Sequence, residues 1–312
     1  MNITRIYPHL IKVVFVFSML LFSCNSNKKD SNQSKKLTIV TTTGMIADAV
    51  KNIVADKVEV ISLMGPGVDP HLYKVTQSDI KKLLNADIIF YNGLHLEGKM
   101  EDVLKKMTEL KPVIAVSKGL EKDQLRATSE FQGNYDPHLW FSVKLWADIV
   151  KFIGLKLSEI DSSNASFYQV NTDKYLLELA ALDSWTISQI NTIPETQRVL
   201  ITAHDAFGYF GREYGMKVKG LQGLSTAAEF GLKDVTSLVD FISVNKIKAV
   251  FVESSVSDRS INAILEGCKA KDHHVVIGGT LYSDAMGPAE KPEGTYIGMV
   301  KHNVTTIVNA LN

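Results

Sequence analysis

From Leu37 to the C-terminus, short runs rich in β-branched residues alternate with longer amphipathic ones, the order that βαβ units and a mainly parallel sheet require. Strands are expected at 37–43 (LTIVTTT), 57–63 (KVEVISL), 87–92 (DIIFYN) and 112–116 (PVIAV). Helical runs lie between them, as at Ser78 to Asn85, where Ile80, Leu83 and Leu84 share one face. The alternation restarts after Pro194, with strands at 198–202, 248–252 and 274–278 and helices near 233–245, 257–268 and 295–311. A chain of 312 residues with 45% hydrophobic residues can fill two cores of this kind.

Between the two series, residues 155–193 contain neither glycine nor proline, although the chain has 20 of one and eight of the other. Asn164 is placed to cap a helix running to about Asn191, with Leu176, Leu179, Ala180, Ile187 and Ile190 at helical spacing. At 1.5 Å per residue it would be roughly 40 Å long, enough to run along both halves. The expected fold class is therefore α/β, two Rossmann-like lobes with parallel sheets (37–163 and 194–312) joined by a long rigid linker helix (164–193). A hinge of this kind opens and closes less than one made of flexible strands.

The N-terminus is of another kind. Arg5 and Lys12 precede an apolar run, Val13 to Phe22, that ends in Ser23-Cys24. The run is shorter than the roughly 20 residues a membrane span takes, and has the form of a secretory signal over 1–23. Leu21 to Cys24 (LFSC) resembles the lipobox of bacterial lipoproteins, with a bulkier Phe22 than that pattern prefers, which makes Cys24 a lipidation site. Residues 24–36, without one large apolar side chain, read as a tether. The only other cysteine is Cys268, so a lipidated Cys24 leaves no pair for an intrachain disulfide.

Charge excludes some partners. Thirty-four basic side chains balance 34 acidic ones, and no basic run with interleaved aromatics is present, so nucleic acid is not an expected ligand.

Seven histidines remain after the signal, and three stand beyond expected strands or in loops: His71 in GVDPHLY, His138 in NYDPHLW and His204 in LITAHDAFGYF. In open α/β sheets, ligands collect at the carboxyl ends of strands. Pro70 and Pro137 hold the preceding aspartates extended, so each loop presents its histidine with little freedom. Asp69 and Asp136 are candidates to orient an imidazole from behind. One Asp-Pro-His string alone is no more than a turn; two, with a third histidine at a strand end, point to a metal. Asp284 in YSDAMG is the best fourth ligand, and three imidazoles with one carboxylate suit Zn²⁺ or Mn²⁺ better than a soft ion. Glu253, at the end of FVE, either stands behind a ligand in the cleft or is an alternative ligand. His95 in NGLHLEG is placed near the cleft mouth or in an ordinary loop, and His273, His274 and His302 at element ends on the surface.

Enzyme signatures fail: GPGVDP lacks the third glycine of a dinucleotide loop, GLSTA is not a nucleophile elbow, and neither a Walker lysine nor a zincin histidine pair occurs. The alternative is a secreted zinc-dependent hydrolase, with the three histidines on zinc, water in the open position and Glu253 or Asp284 as base.

Together, GVDPHLY, ADIIFYNGLHLEG, DPHLW, ITAHDAFGYFGREYG, FVESS and SDAMG resemble the metal-binding substrate-binding lipoproteins of bacterial ABC importers for zinc and manganese. GLQGLSTA and EGTYIGMVKHN are similar to the TroA-type branch, within solute-binding protein family 9. The resemblance implies a non-enzymatic receptor with one ion held between the lobes by His71, His138, His204 and Asp284. It further implies ABC permease subunits as partners, a lipid anchor at Cys24 on the outer side of the cytoplasmic membrane or in the periplasm, and a monomer. Some members carry glutamate where His204 stands, and these are associated with manganese, so His204 leans toward zinc or both ions. The histidine-rich loop common in dedicated zinc carriers is missing from 121–135.

Overall fold

The computed structural model describes residues 36–127 and 133–312. The signal segment, Cys24 and all but the last residue of the tether lie outside the described residues.

The first lobe is a four-stranded parallel sheet of order β2-β1-β3-β4, built from β1 (Thr38–Thr41), β2 (Glu59–Ser62), β3 (Ile88–Tyr91) and β4 (Val113–Ala115). Its central strands are buried on both faces, which explains why Ile39, Val40, Ile88, Ile89 and Phe90 form runs rather than an alternation. Helices α1 (Gly44–Val54), α2 (Gln77–Asn85) and α3 (Glu101–Thr108) make the crossovers.

The second lobe contains β5 (Val199–His204) paired in parallel with β6 (Lys217–Gln222), and β7 (Ala249–Glu253) paired in parallel with β8 (Val276–Leu281); β5 lies beside β7. Strand β6 is not among the expected strands. Lys217, Lys219 and Gly220 hide it, and among the described residues it pairs with β5 alone, an outer position where lysines are at home. Gly220 is required there, because a Cβ would stand 2.3 Å from the Asp205 amide nitrogen.

Helix α4 (Val143–Ile160) ends at Asp161, whose carboxylate accepts hydrogen bonds from Tyr168, Asn164 and Ser163. The linker helix α5 (Ala165–Ile190) is continuous over 26 residues. Asn164 precedes it as expected, but its side chain donates to Asp161 instead of capping α5. The buried stripe also differs: it runs Tyr168, Thr172, Tyr175, Leu179, Leu182, Thr186 and Ile190, while Ala180 and Ile187 face solvent. The threonine hydroxyls bond to carbonyls four residues back, so polar residues can sit inward and mask the apolar period. Gly154 lets α5 approach α4, since a Cβ there would meet Thr172 Oγ1 at 2.3 Å. Helix α5 packs on α4 and α1 and also on α9 (Tyr296–Leu311), so one rigid element spans both lobes. Between β6 and α9 lie α7 (Leu232–Val244) and α8 (Arg259–Lys269); α6 (Gly208–Tyr214) follows β5.

Candidate metal centre

Four side chains from four separate chain segments converge in the cleft: His71, His138, His204 and Asp284 each offer a ligand atom, all within 4.8 Å of one another. His204 is the last residue of β5 and Asp284 follows β8, while His71 lies in the loop between β2 and α2 and His138 in the connection between β4 and α4. Each is almost wholly buried, at 3%, 0%, 0% and 1% exposure.

The spacing suits one small ion. His71 Nε2 lies 3.3 Å from His138 Nε2, and the Asp284 oxygens lie 3.4 Å from His138 Nε2, 3.3 Å from His204 Nε2 and 3.8 Å from His71 Nε2. A tetrahedron with bonds of about 2.0–2.1 Å has ligand-to-ligand edges of about 3.3 Å. Among the described residues, His204 Nε2 and both Asp284 oxygens are buried without a hydrogen-bond partner. Such groups cost stability unless something satisfies them.

Each loop is held from behind. Asp136 accepts from both the backbone N–H (3.0 Å) and Nδ1 (2.8 Å) of His138, fixing the ring so that Nε2 faces the site. Asn92, just past β3, donates to the Pro137 carbonyl at 3.0 Å. Asp69 is different: it takes the backbone N–H of His71 at 2.8 Å rather than the imidazole. Tyr73 then ties the His71 loop to α2 by donating to Asp79 at 2.7 Å. Glu253, at the end of β7, accepts the His204 backbone N–H at 2.9 Å and places its other oxygen 2.6 Å from Nδ1, without hydrogen-bond geometry. It therefore supports the far side of His204 and stands outside the group of four.

Electrostatics divide the histidines. Burial pushes the His71 imidazole down to about 3, against the pull of Asp284. Burial acts the same way on His204, but the carboxylates of Glu253 and Asp284 outweigh it and hold the ring well above the usual histidine range. Burial would raise Asp284, yet the three histidines, His204 foremost, keep it well below the carboxylate range.

A family profile described as zinc-uptake complex component A, periplasmic (ZnuA), matches residues 39–310. The chain belongs to the ZnuA family. It is 51% identical over 302 residues to the manganese-binding lipoprotein MntA of Bacillus subtilis, covering 97% of this chain and 98% of that one. It is 47% identical over 283 residues to the zinc-binding protein TroA of Treponema pallidum, covering 91% of each. The solved structure of that periplasmic zinc-binding protein superposes with a TM-score of 0.86, covering 88% of this chain and 99% of that one.

Among the described residues, the other histidines of this ZnuA-family chain stay apart from the cluster. His95 is exposed and pairs with Glu101; His273 bonds to the Ile247 carbonyl. His302 lies within α9 rather than at an element end, bonded to the Thr280 carbonyl.

Sequence reasoning missed Arg126. Its Nη1 donates to Asp136 at 2.7 Å and its Nη2 reaches Asp205, the residue after His204, at 3.4 Å. Tyr209 of the second lobe accepts the Arg126 backbone N–H and donates to the Asp136 carbonyl, both at 3.0 Å. The guanidinium lies over Gly208, where a Cβ would come within 2.0 Å of Nη1. Nothing around Arg126 in the sequence marks it; only the fold brings positions 126, 136 and 205 together.

Proposed function

We infer that this chain is an exported receptor that captures Zn²⁺ or Mn²⁺ between its lobes and delivers it to the permease of an ATP-driven importer. The observation that carries the reading is the convergence of three imidazoles and one carboxylate, buried, with ligand atoms within 4.8 Å of one another and with unpaired atoms on His204 and Asp284. His71 and His138 supply the ligands of the first lobe (37–163), His204 and Asp284 those of the second (194–312), and segment 164–193 is the linker between them. With two charges on the ion and one on Asp284, the site carries a net charge of about +1. Four protein ligands fill the coordination sphere, which suits a carrier rather than a hydrolase.

Both Asp284 oxygens face the histidines, so the carboxylate can bind through one oxygen for four-coordinate Zn²⁺ or through two for Mn²⁺, which accepts more ligands. The relatives named for manganese and for zinc agree with a site that serves both. No helix among the described residues is long and apolar enough to cross a membrane. On this reading a lipid on Cys24 attaches the chain, with residues 24–36 as tether, on the outer side of the cytoplasmic membrane or in the periplasm, and the chain acts as a monomer.

Metal analysis of protein purified without chelator tests the reading. Wild type should carry one ion per chain, His204→Ala should bind at least about 100-fold more weakly, and His95→Ala should match wild type. Equal metal content in wild type and His204→Ala would overturn the ligand assignment.

A further inference from the structure

The Asp69 carboxylate works in two directions. One oxygen accepts the backbone N–H of His71 at 2.8 Å, and the other accepts the hydroxyl of Thr226 at 2.6 Å, across the cleft and 157 positions along the chain. Thr226 belongs to segment 223–231, which connects β6 to α7. That segment is held by Gln222, whose side-chain amide donates to the carbonyls of Thr226 (3.1 Å) and Ala228 (2.8 Å). Gln222 is in turn the strand partner of His204 in the β5–β6 register. A continuous path thus runs from His204 across the ladder to Gln222, through Thr226 to Asp69, and into the backbone of His71. It joins a ligand of one lobe to a ligand of the other without passing through the metal position. Among the described residues, the Thr226 bond is the one hydrogen bond from segment 223–231 to the first lobe.

We propose that Thr226 is a positioning residue for metal release, its hydroxyl latching the His71 loop to the second lobe through Asp69. The inference rests on the metal-capture reading and adds to it a specific element that opposes opening. Releasing the ion requires His71 and His138 to part from His204 and Asp284, and the latch must break in the same movement. A hydroxyl donating to a carboxylate is a charge-assisted bond and stronger than a neutral one. Asp69 is also the residue that fixes the His71 backbone, so freeing its second oxygen loosens the loop that carries the ligand. The Gln222 staple keeps the donor in place, so the threonine does not need to be ordered anew at each closure.

The experiment is chelator-capture stopped flow on full-length protein loaded with Zn²⁺ and, separately, with Mn²⁺. It compares wild type, Thr226→Val, which keeps the shape and loses the hydroxyl, and Thr226→Ser, which keeps the hydroxyl. Thr226→Val should release each ion about tenfold faster or more, in line with the loss of a group that supports a ligand from behind. Thr226→Ser should stay within about twofold of wild type. Release from Thr226→Val at the wild-type rate overturns the proposal, as does equally fast release from Thr226→Ser. Wild-type protein that takes up neither ion overturns the metal-capture reading, and this inference with it.

Discussion

The indole N–H of Trp140 donates to the Ser283 carbonyl at 2.9 Å, so the residue two places after His138 holds the residue one place before Asp284. The two are 143 positions apart and stand on opposite lobes. Trp140 also packs edge-on against the His138 ring at 5.4 Å, and its own carbonyl accepts from Tyr296 at the start of α9.

Replacing Trp140 by phenylalanine removes this donor and leaves a buried carbonyl unpaired, a loss of about 1–3 kcal/mol. Because the bond positions one ligand against another, the cost should fall on metal binding as well as on folding. Trp140→Phe should bind Zn²⁺ about tenfold more weakly by competition titration and should melt lower without metal. Unchanged affinity would show that Asp284 is placed by its own lobe alone.

What was legible in the sequence and what was not follows from the range of the forces involved. The strands of the first lobe, α2 and the unbroken span of α5 rest on local patterns, and all four cleft side chains stand at strand ends or on proline-fixed loops. Each can be read within about ten residues of sequence. The Trp140–Ser283, Arg126–Asp205 and Thr226–Asp69 bonds cannot, since each joins segments that are neighbours only after both lobes have formed. Strand β6 was hidden by Lys217, Lys219 and Gly220, residues that suit an outer strand and say nothing of pairing. The inward face of α5 was hidden because Tyr168, Thr172, Tyr175 and Thr186 supply much of it.

Metal binding should release a proton at neutral pH. His204, between Glu253 and Asp284, keeps its proton well above the usual histidine range, and an imidazole must be neutral to coordinate. His71, pushed down to about 3 by burial, has no proton to give near neutrality. The sign is then fixed: each bound ion displaces the His204 proton, and affinity falls as pH is lowered. Calorimetric titration in buffers of different ionisation enthalpy should find about one proton released per ion at pH 7, and weaker binding at pH 5.5 than at 7.5. Equal affinity at the two pH values would contradict a site built on histidines.

Acid should loosen the His71 side of the first lobe through Asp79. Burial favours the neutral acid, but the Thr76 hydroxyl and amide, Tyr73 and Lys82 outweigh it and bring the carboxyl down to about 2 from 3.8. A depressed folded-state value contributes stability above the unfolded value and loses it as pH falls through the folded one. The contribution is therefore full above about pH 5, about 2 kcal/mol in size, and fades between pH 4 and 2. Asp79→Ala should lose the capping box of α2 and this pH dependence together. Urea unfolding at pH 7 and pH 2.5 checks it: the gap between the two proteins should be about 2 kcal/mol at the higher pH and shrink at the lower.

Gly208→Ala should weaken metal binding while leaving the fold intact. The new methyl would come within 2.0 Å of Arg126 Nη1, the mobile end of a long side chain, so the guanidinium moves and the backbone of α6 does not. Once displaced, it no longer neutralises Asp136, which is wholly buried and bonded to the His138 ring. Asp136 then holds the ring with an unpaired buried charge behind it, and removing such support typically costs about 10–100-fold in metal affinity. The double variant Gly208→Ala with Arg126→Met should be no weaker than Arg126→Met alone, because both act through one guanidinium. Competition titration of the three proteins decides it: additive losses would mean that Gly208 acts on the site by a route other than Arg126.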